Sequence, residues 1–480
     1  MAQSIKKNFI FNTLLGISRV IFPLITAPYV SRVLEPDGVG LFNFANTLAG
    51  YFALFGALGI PYYGIREVAK IRNDIEKQKQ FVSEIISISV LATLISTIIF
   101  IAAIHFIPQL NENYTIFVIA GIVLYITPFR IDWFFSGLEE FGYITIRSLL
   151  VKTLGVVLLF VFVHDKNDLV AYVWLGVLTT VLNEVWNYLK LYKLGIHFRF
   201  TLSGGKHLKP LLVLFSSAIA ISIYTVLDTL MLGFLSNYSE VGYYNCATHI
   251  SKSILPIVTS LAAVVLPQVA IMKEEGRWTE INTLMNKSFS IVGFLAFPIM
   301  FGVIAIAPTF TPLFFGHQYA GAILPLQVII VTVVAIGFSN ITGIQILLGF
   351  GFDKNFLYSV LIGTMTNFIM NMMLIPKYGA VGAAIASVAA EILILIVMLR
   401  HVHQLTSIRF SCKFEIIKDA MLGAAFLVFD VVLAQLVDGW LLVATFILVC
   451  VIFYFTIQYL LGNSSEQIIL KTVKQKIRHK

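Results

Sequence analysis

Stretches of about twenty apolar residues, the length that carries an α-helix across the hydrocarbon core of a bilayer, recur from end to end of this 480-residue chain. They fall near 8–31, 39–61, 81–105, 114–133, 144–163, 169–190, 211–235, 241–270, 284–308, 323–349, 355–375, 379–400, 419–437 and 440–461. In lipid every backbone N–H and C=O must be satisfied within the chain, so runs of this length can only be helices. A composition of 58% hydrophobic and 12% charged residues lies outside the range of soluble domains. The pattern predicts an all-α polytopic membrane protein with about 14 transmembrane helices. The first run is too long for a signal-peptide h-region and lacks a small-residue cleavage site, so it is expected to be retained.

Of the 33 lysines and arginines, all but Arg19, Lys252, Arg32, Lys166 and Lys377 lie on alternate connections or in the terminal segments 1–7 and 462–480. The positive-inside rule places those connections, and both termini, in the cytoplasm. The formal charge of +8 is thereby assigned to topology and anionic lipid rather than to nucleic acid.

No connection is long enough to fold as a domain. The chain carries no D-x-D, no H-x-x-x-H, no Gly-rich phosphate loop before a helix and no Ser/His/Asp set. Its three cysteines, Cys246, Cys412 and Cys450, form no metal or disulfide pattern. The expectation is a non-enzymatic protein without cofactor or metal. A membrane enzyme of polysaccharide assembly, the alternative of a different class, needs larger loops than these.

The chain also repeats itself. LEPDGVGLFNFANTL (34–48) and LSNYSEVGYYNCATHI (235–250) align with one inserted residue, matching Leu34 with Leu235, Val39–Gly40 with Val241–Gly242, Asn43 with Asn245 and Ala45 with Ala247. Six runs separate the copies, as in a parallel repeat about an axis along the membrane normal, and transporters of that design bind between two lobes. Helical spacing sets Asn12, Gly16, Arg19, Pro23 and Thr26 on one stripe of the first span, and Asn245, His249, Lys252, Pro256 and Thr259 on one stripe of the eighth. Arg19 lies roughly 16 Å from the inner end of its run, and Lys252 a similar distance from the outer end of its own. A cation at such depth faces protein or water and by default marks an anion's path. Arg19 and Lys252 are therefore candidates to grip an anionic group, with Asn12, Thr26, Asn245, His249 and Thr259 as candidate cavity lining. The competing reading is neutralisation by a buried partner, such as Asp228 for Lys252.

Asp228, Glu391 and Asp430 lie within runs and are candidates for ion coupling or ion pairing, with Glu184 nearer the end of another. Arg66 and Arg147 sit at inner ends of the second and fifth spans, where they could form an inner gate or fix topology. Lys152 falls in the inner connection 130–152.

Three segments carry a family resemblance. PYVSRVLEPDGVGLFNFANTLAGYFALFGALGIPYYGIREVAK (28–70), RIDWFFSGLEEFGYITIRSLLVK (130–152) with its D-W-x-x-x-G-x-E pattern, and DTLMLGFLSNYSEVGYYNCATHI (228–250) followed by VVLPQ (264–268) resemble the Wzx-type polysaccharide-repeat flippases of the multidrug/oligosaccharidyl-lipid/polysaccharide exporter superfamily. The resemblance implies a MATE/MurJ-like fold of two six-helix lobes around a central cavity (1–209 and 210–405), with two more helices and a basic tail in 406–480. It implies alternating-access transfer of undecaprenyl-diphosphate-linked oligosaccharide from the inner to the outer leaflet of the bacterial cytoplasmic membrane, for O-antigen or capsule synthesis. Membrane lipids, a polysaccharide polymerase and glycosyltransferases are the partners it implies. In such flippases cations on the first and eighth helices bind the diphosphate, the places held here by Arg19 and Lys252. A lipid II-type flippase and a multidrug exporter of the same superfamily are the alternatives; the multidrug exporter would call for acidic rather than cationic residues at mid-membrane.

Overall fold

A computed structural model describes residues 5–461, which are helical almost throughout and contain no β-strand. Thirteen of the fourteen apolar runs fall mainly on helix, while 114–133 is broken into short helical pieces with Arg130 and Ile131 outside them. The chain divides into two compact units, one ending at Gly242 and the other beginning at Tyr243.

The first unit contains α1 (Ile5–Ala57), α2 (Ile60–Lys70), α3 (Ile75–Phe106), the short α4 (Pro108–Asn111), α5 (Tyr114–Ala120) and α6 (Ile122–Tyr125), then α7 (Asp132–Gly137), α8 (Phe141–Phe162), α9 (Leu169–Lys193) and α10 (Gly205–Leu235). Two of the predicted crossings lie within α1, which breaks at Glu35 (φ 59°, ψ 173°). The break has a local cause. A residue before proline is pushed out of the α region, and Pro36 then opens the second segment, where its missing N–H costs nothing. Along α3, Leu94 and Ile98 are 57% and 62% exposed, a face that only lipid can cover without penalty.

The amphipathic α2 lies in a connection rather than a span, and its packing explains the D-W-x-x-x-G-x-E pattern. A Cβ on Gly64 would sit 2.3 Å from the Trp133 ring, and one on Gly137 would sit 2.7 Å from Val68 Cβ. The two glycines let α2 and α7 close to backbone range, burying Tyr63, Val68, Trp133, Phe134 and Phe135 with Ile85 and Ile86 of α3. Beyond α7 the chain reverses at Glu139 (φ 62°), whose carboxylate pairs with Arg72 at 3.8 Å.

The second unit contains most of α11 (Tyr238–Thr259), then α12 (Leu261–Glu274), α13 (Trp278–Phe315), α14 (Ile323–Ile329), α15 (Val331–Asn340), α16 (Asp353–Leu405), α17 (Lys413–Leu433) and α18 (Gly439–Leu460). The run 241–270 is two helices, parted at Ser260. The run 323–349 passes from α14 through α15 into a π-helical turn at Ile341–Leu348. There Gly343 allows Met398 and Phe356 to approach within 2.9 Å of where a Cβ would be. Two further crossings lie within α16, which breaks at Gly379 (φ 51°, ψ −129°), three residues after Pro376. The core gathers Met285, Phe289, Val292, Val333, Ile341 and Ile346. Tyr454 of α18 donates its hydroxyl to the Phe294 carbonyl of α13 at 2.8 Å. These apolar helices make a multi-pass membrane protein.

Candidate functional site

Arg19 lies on an exposed face of α1, beside the buried Ser18. The Ser18 hydroxyl donates to the Leu15 carbonyl at 2.7 Å and accepts from the ammonium of Lys152 at 3.0 Å. That lysine is not in a connection. Helix α8 begins at Phe141, so Lys152 is halfway along it, about 16 Å from its start. Its ammonium also lies 5.7 Å from the centre of the Phe22 ring. Ser18 and Phe22 flank Arg19 along α1, so the ammonium is held against the same turn that carries the arginine. Among the described residues no carboxylate comes within ion-pair distance of either cation. Asn12 is exposed on the same helix, while Thr26 turns its hydroxyl back to the Phe22 carbonyl at 3.1 Å.

On α11, in the second unit, Lys252 and His249 are exposed and Asn245 is half-buried. Thr259 bonds its own helix at the Leu255 carbonyl, 3.2 Å away.

The other candidate arginines differ sharply. Arg147 is 2% exposed. Its guanidinium pairs with Asp132 at 2.7 Å, donates to Asn183 Oδ1 at 3.0 Å and to Asn187, and lies 5.5 Å from the Tyr143 ring centre. Asn187 in turn donates to Asp132 at 2.9 Å and to the buried Glu184 at 3.0 Å. This network ties α7, α8 and α9 together, and the D of the D-W pattern is its exposed end. Arg66 is exposed on α2. It pairs with Glu67 at 3.0 Å, as Lys70 does at 2.9 Å. Partial burial pushes the Glu67 carboxyl up, but the hydrogen bonds from Lys70 and Arg66 bring it below its ordinary range.

Of the candidate carboxylates, Glu391 is buried and Asp228 half-buried. Asp430 is half-buried, and its Oδ1 has no hydrogen-bond partner among the described residues. Two buried acids escaped the sequence reading because each sits near the end of its run. Asp419 accepts from Gln458, and its Oδ2 has no hydrogen-bond partner among the described residues. Glu84 binds Lys206 at 3.0 Å, Gln80 at 2.8 Å and His207 Nε2 at 2.8 Å, and His207 Nδ1 meets the Tyr63 hydroxyl at 2.7 Å.

Each unit encloses space of its own. In the first, a cavity of about 360 Å³ is lined by Gly50, Ala53, Leu54 and Ile85, with Arg130 and Asp132 among its polar residues. In the second, a groove of about 460 Å³ is walled almost wholly by apolar side chains of α11, α13, α17 and α18, among them Ile254, Pro298, Phe426 and Phe446.

Comparison with known proteins bears on the identity of this arrangement. The model of the family described as "Polysaccharide biosynthesis protein" matches residues 5–273. A putative O-antigen transporter of Escherichia coli K12 is 25% identical over 413 residues, covering 83% of this chain and 97% of the relative. Among solved structures, the lipid II flippase MurJ in an inward closed conformation superposes with a TM-score of 0.74 at 16% identity, over 94% of this chain and 98% of that one. An inward-facing MATE multidrug transporter of the MOP superfamily gives a TM-score of 0.60 at 15% identity, over 83% and 97%. The fold is that of the MurJ and MATE transporters, and the chain belongs to the polysaccharide biosynthesis protein family.

Proposed function

We propose that this protein is a flippase that carries undecaprenyl-diphosphate-linked oligosaccharide repeat units from the inner to the outer leaflet of the cytoplasmic membrane by alternating access, without catalysing a covalent step. The observation that carries the reading is Arg19, an exposed cation in the middle of an apolar helix with no described carboxylate to neutralise it. Arginine is suited to hold a phosphate bidentately. The full-length likeness to a putative O-antigen transporter supports the same cargo. In this reading Lys252 is a further anchor for the diphosphate, with Asn12, Thr26, Asn245, His249 and Thr259 lining the path. Residues 1–209 and 210–405 act as the rocking lobes, and 406–480 as the appended helices and tail.

The physics asks for such a carrier. Each sugar hydroxyl stripped of hydrogen bonds costs about 2–7 kcal/mol in hydrocarbon, so the headgroup needs a polar route. The isoprenoid tail does not, and the apolar groove of the second unit suits it. With both termini cytoplasmic, outward movement of the diphosphate is favoured by the inside-negative potential by roughly 2.3 kcal/mol per charge per 100 mV. A polysaccharide polymerase and glycosyltransferases are the proposed neighbours in the membrane. In proteoliposomes carrying lipid-linked oligosaccharide, the wild type is expected to move the lipid between leaflets and Arg19→Ala to lose most of that rate. Translocation by Arg19→Ala at the wild-type rate defeats the charge-capture reading.

A further inference from the structure

Lys152 takes no part in the reading so far, yet its surroundings are those of a ligand-binding cation. Its ammonium has three donors. One is engaged by Ser18 Oγ at 3.0 Å, and the remaining two have no hydrogen-bond acceptor among the described residues. Ser18 is itself fixed, because its own proton is given to the Leu15 carbonyl and its lone pair is thereby turned toward Lys152. The Phe22 ring flanks the ammonium on the same face of α1. The lysine is thus held beside Arg19, one residue further along α1, with two donors to spare and no described carboxylate nearby.

A tether between α1 and α8 alone would not need a charge. A neutral donor such as glutamine could reach Ser18 without the cost of a cation in the middle of an apolar helix. Two adjacent cations that repel each other become favourable when an anion with two charged centres sits across them. A monophosphate can satisfy Arg19 through one bidentate pair; a diphosphate offers a second phosphate to a second cation.

We propose that Lys152 and Arg19 together form a two-cation seat for a diphosphate, and that Lys152 makes this protein select diphosphate-linked over monophosphate-linked polyprenyl lipids. This deepens the flippase reading and rests on it.

The test uses the purified full-length protein in detergent, with undecaprenyl diphosphate and undecaprenyl monophosphate as probes and native mass spectrometry as the readout. Wild type is expected to prefer the diphosphate by about tenfold or more. Lys152→Gln should bring that preference to within about twofold, and a melting temperature close to that of wild type in the same detergent shows that the variant is folded. Lys152→Arg should restore most of the preference. Ser18→Ala, which keeps the ammonium but removes its seat, should lower it about threefold. A Lys152→Gln protein that still prefers the diphosphate tenfold overturns the proposal, as does a wild type that binds the two lipids equally. The two readings fail separately. Loss of preference in the wild type with intact leaflet translocation sinks only the seat, whereas a wild type that neither binds nor moves the diphosphate lipid sinks the flippase reading with it.

Discussion

Gly40 and Gly242, equivalent positions in the two copies of the internal repeat, meet backbone to backbone. A Cβ on Gly40 would lie 1.7 Å from the Tyr238 carbonyl oxygen and 2.9 Å from the Gly242 nitrogen, and a Cβ on Gly242 would lie 2.2 Å from the Pro36 carbonyl oxygen. The contact is reciprocal, each copy pressing on the turn that opens the other. Neither obstacle is a flexible side chain, so even alanine must force the two segments apart. Gly242→Ala is expected to break this contact at a cost of about 1–3 kcal/mol. The neighbouring Ser239 hydroxyl and Asp37 carboxylate, 3.4 Å apart, supply the gauge: an Asp37→Cys/Ser239→Cys pair should crosslink readily in membranes, and adding Gly242→Ala should abolish it. Undiminished crosslinking would mean that the glycines are not needed for the approach.

Arg147 and Arg66 separate stability from surface charge. Removing the Arg147 guanidinium leaves Asp132, Asn183 and Asn187 without their shared donor. Arg147→Ala should therefore cost about 1–3 kcal/mol for the acceptors left unsatisfied and show as reduced expression and a clear fall in Tm. Arg66→Ala breaks an exposed pair on α2 and should cost under about 1 kcal/mol. Thermal unfolding of the two variants in one detergent makes the comparison; equal losses would contradict the assignment of Arg147 as a packing hub.

The opposite signature is expected at Arg19. It is exposed and has no described ionic partner, so Arg19→Ala should leave Tm within about 1–2 °C of wild type, the shift that a change of under 0.5 kcal/mol at a surface position produces in a chain this long. Translocation should fall at least tenfold. A fall in activity that merely tracks lost stability would point to a structural role.

At Gly64 the prediction concerns the α2–α7 contact. Its Cβ would strike the Trp133 ring at 2.3 Å, and an indole walled in by Phe134 and Phe81 cannot swing aside freely. Gly64→Ala should destabilise by about 1–3 kcal/mol, and a Gly64→Ala/Trp133→Phe pair should recover part of that loss. Without any recovery, the clash is not with Trp133.

The spans were readable in the sequence because lipid imposes a single length and a single backbone solution. The turns at Glu35–Pro36 and Gly379 followed from the same reading, since proline and glycine mark where a helix must stop. Lys152 is the ambiguous case. The apolar run 144–163 and the inner connection 130–152 overlap at it, and its charge put it in the connection; the unbroken apolar run after Lys152 was the signal that it lies inside. Glu84 and Asp419 carried no signal in the sequence, because burial near a helix end depends on what packs there, which periodicity does not encode. The repeat showed that Gly40 and Gly242 are equivalent, and only the coordinates show that they touch.

His207 joins two neighbours at once. From α10 it reaches Tyr63 of α2 with one ring nitrogen and Glu84 of α3 with the other. Removing the ring would strand both. Three segments distant in the chain therefore hinge on one aromatic ring, and any rearrangement at that end must carry all three along or sever the imidazole's grip first.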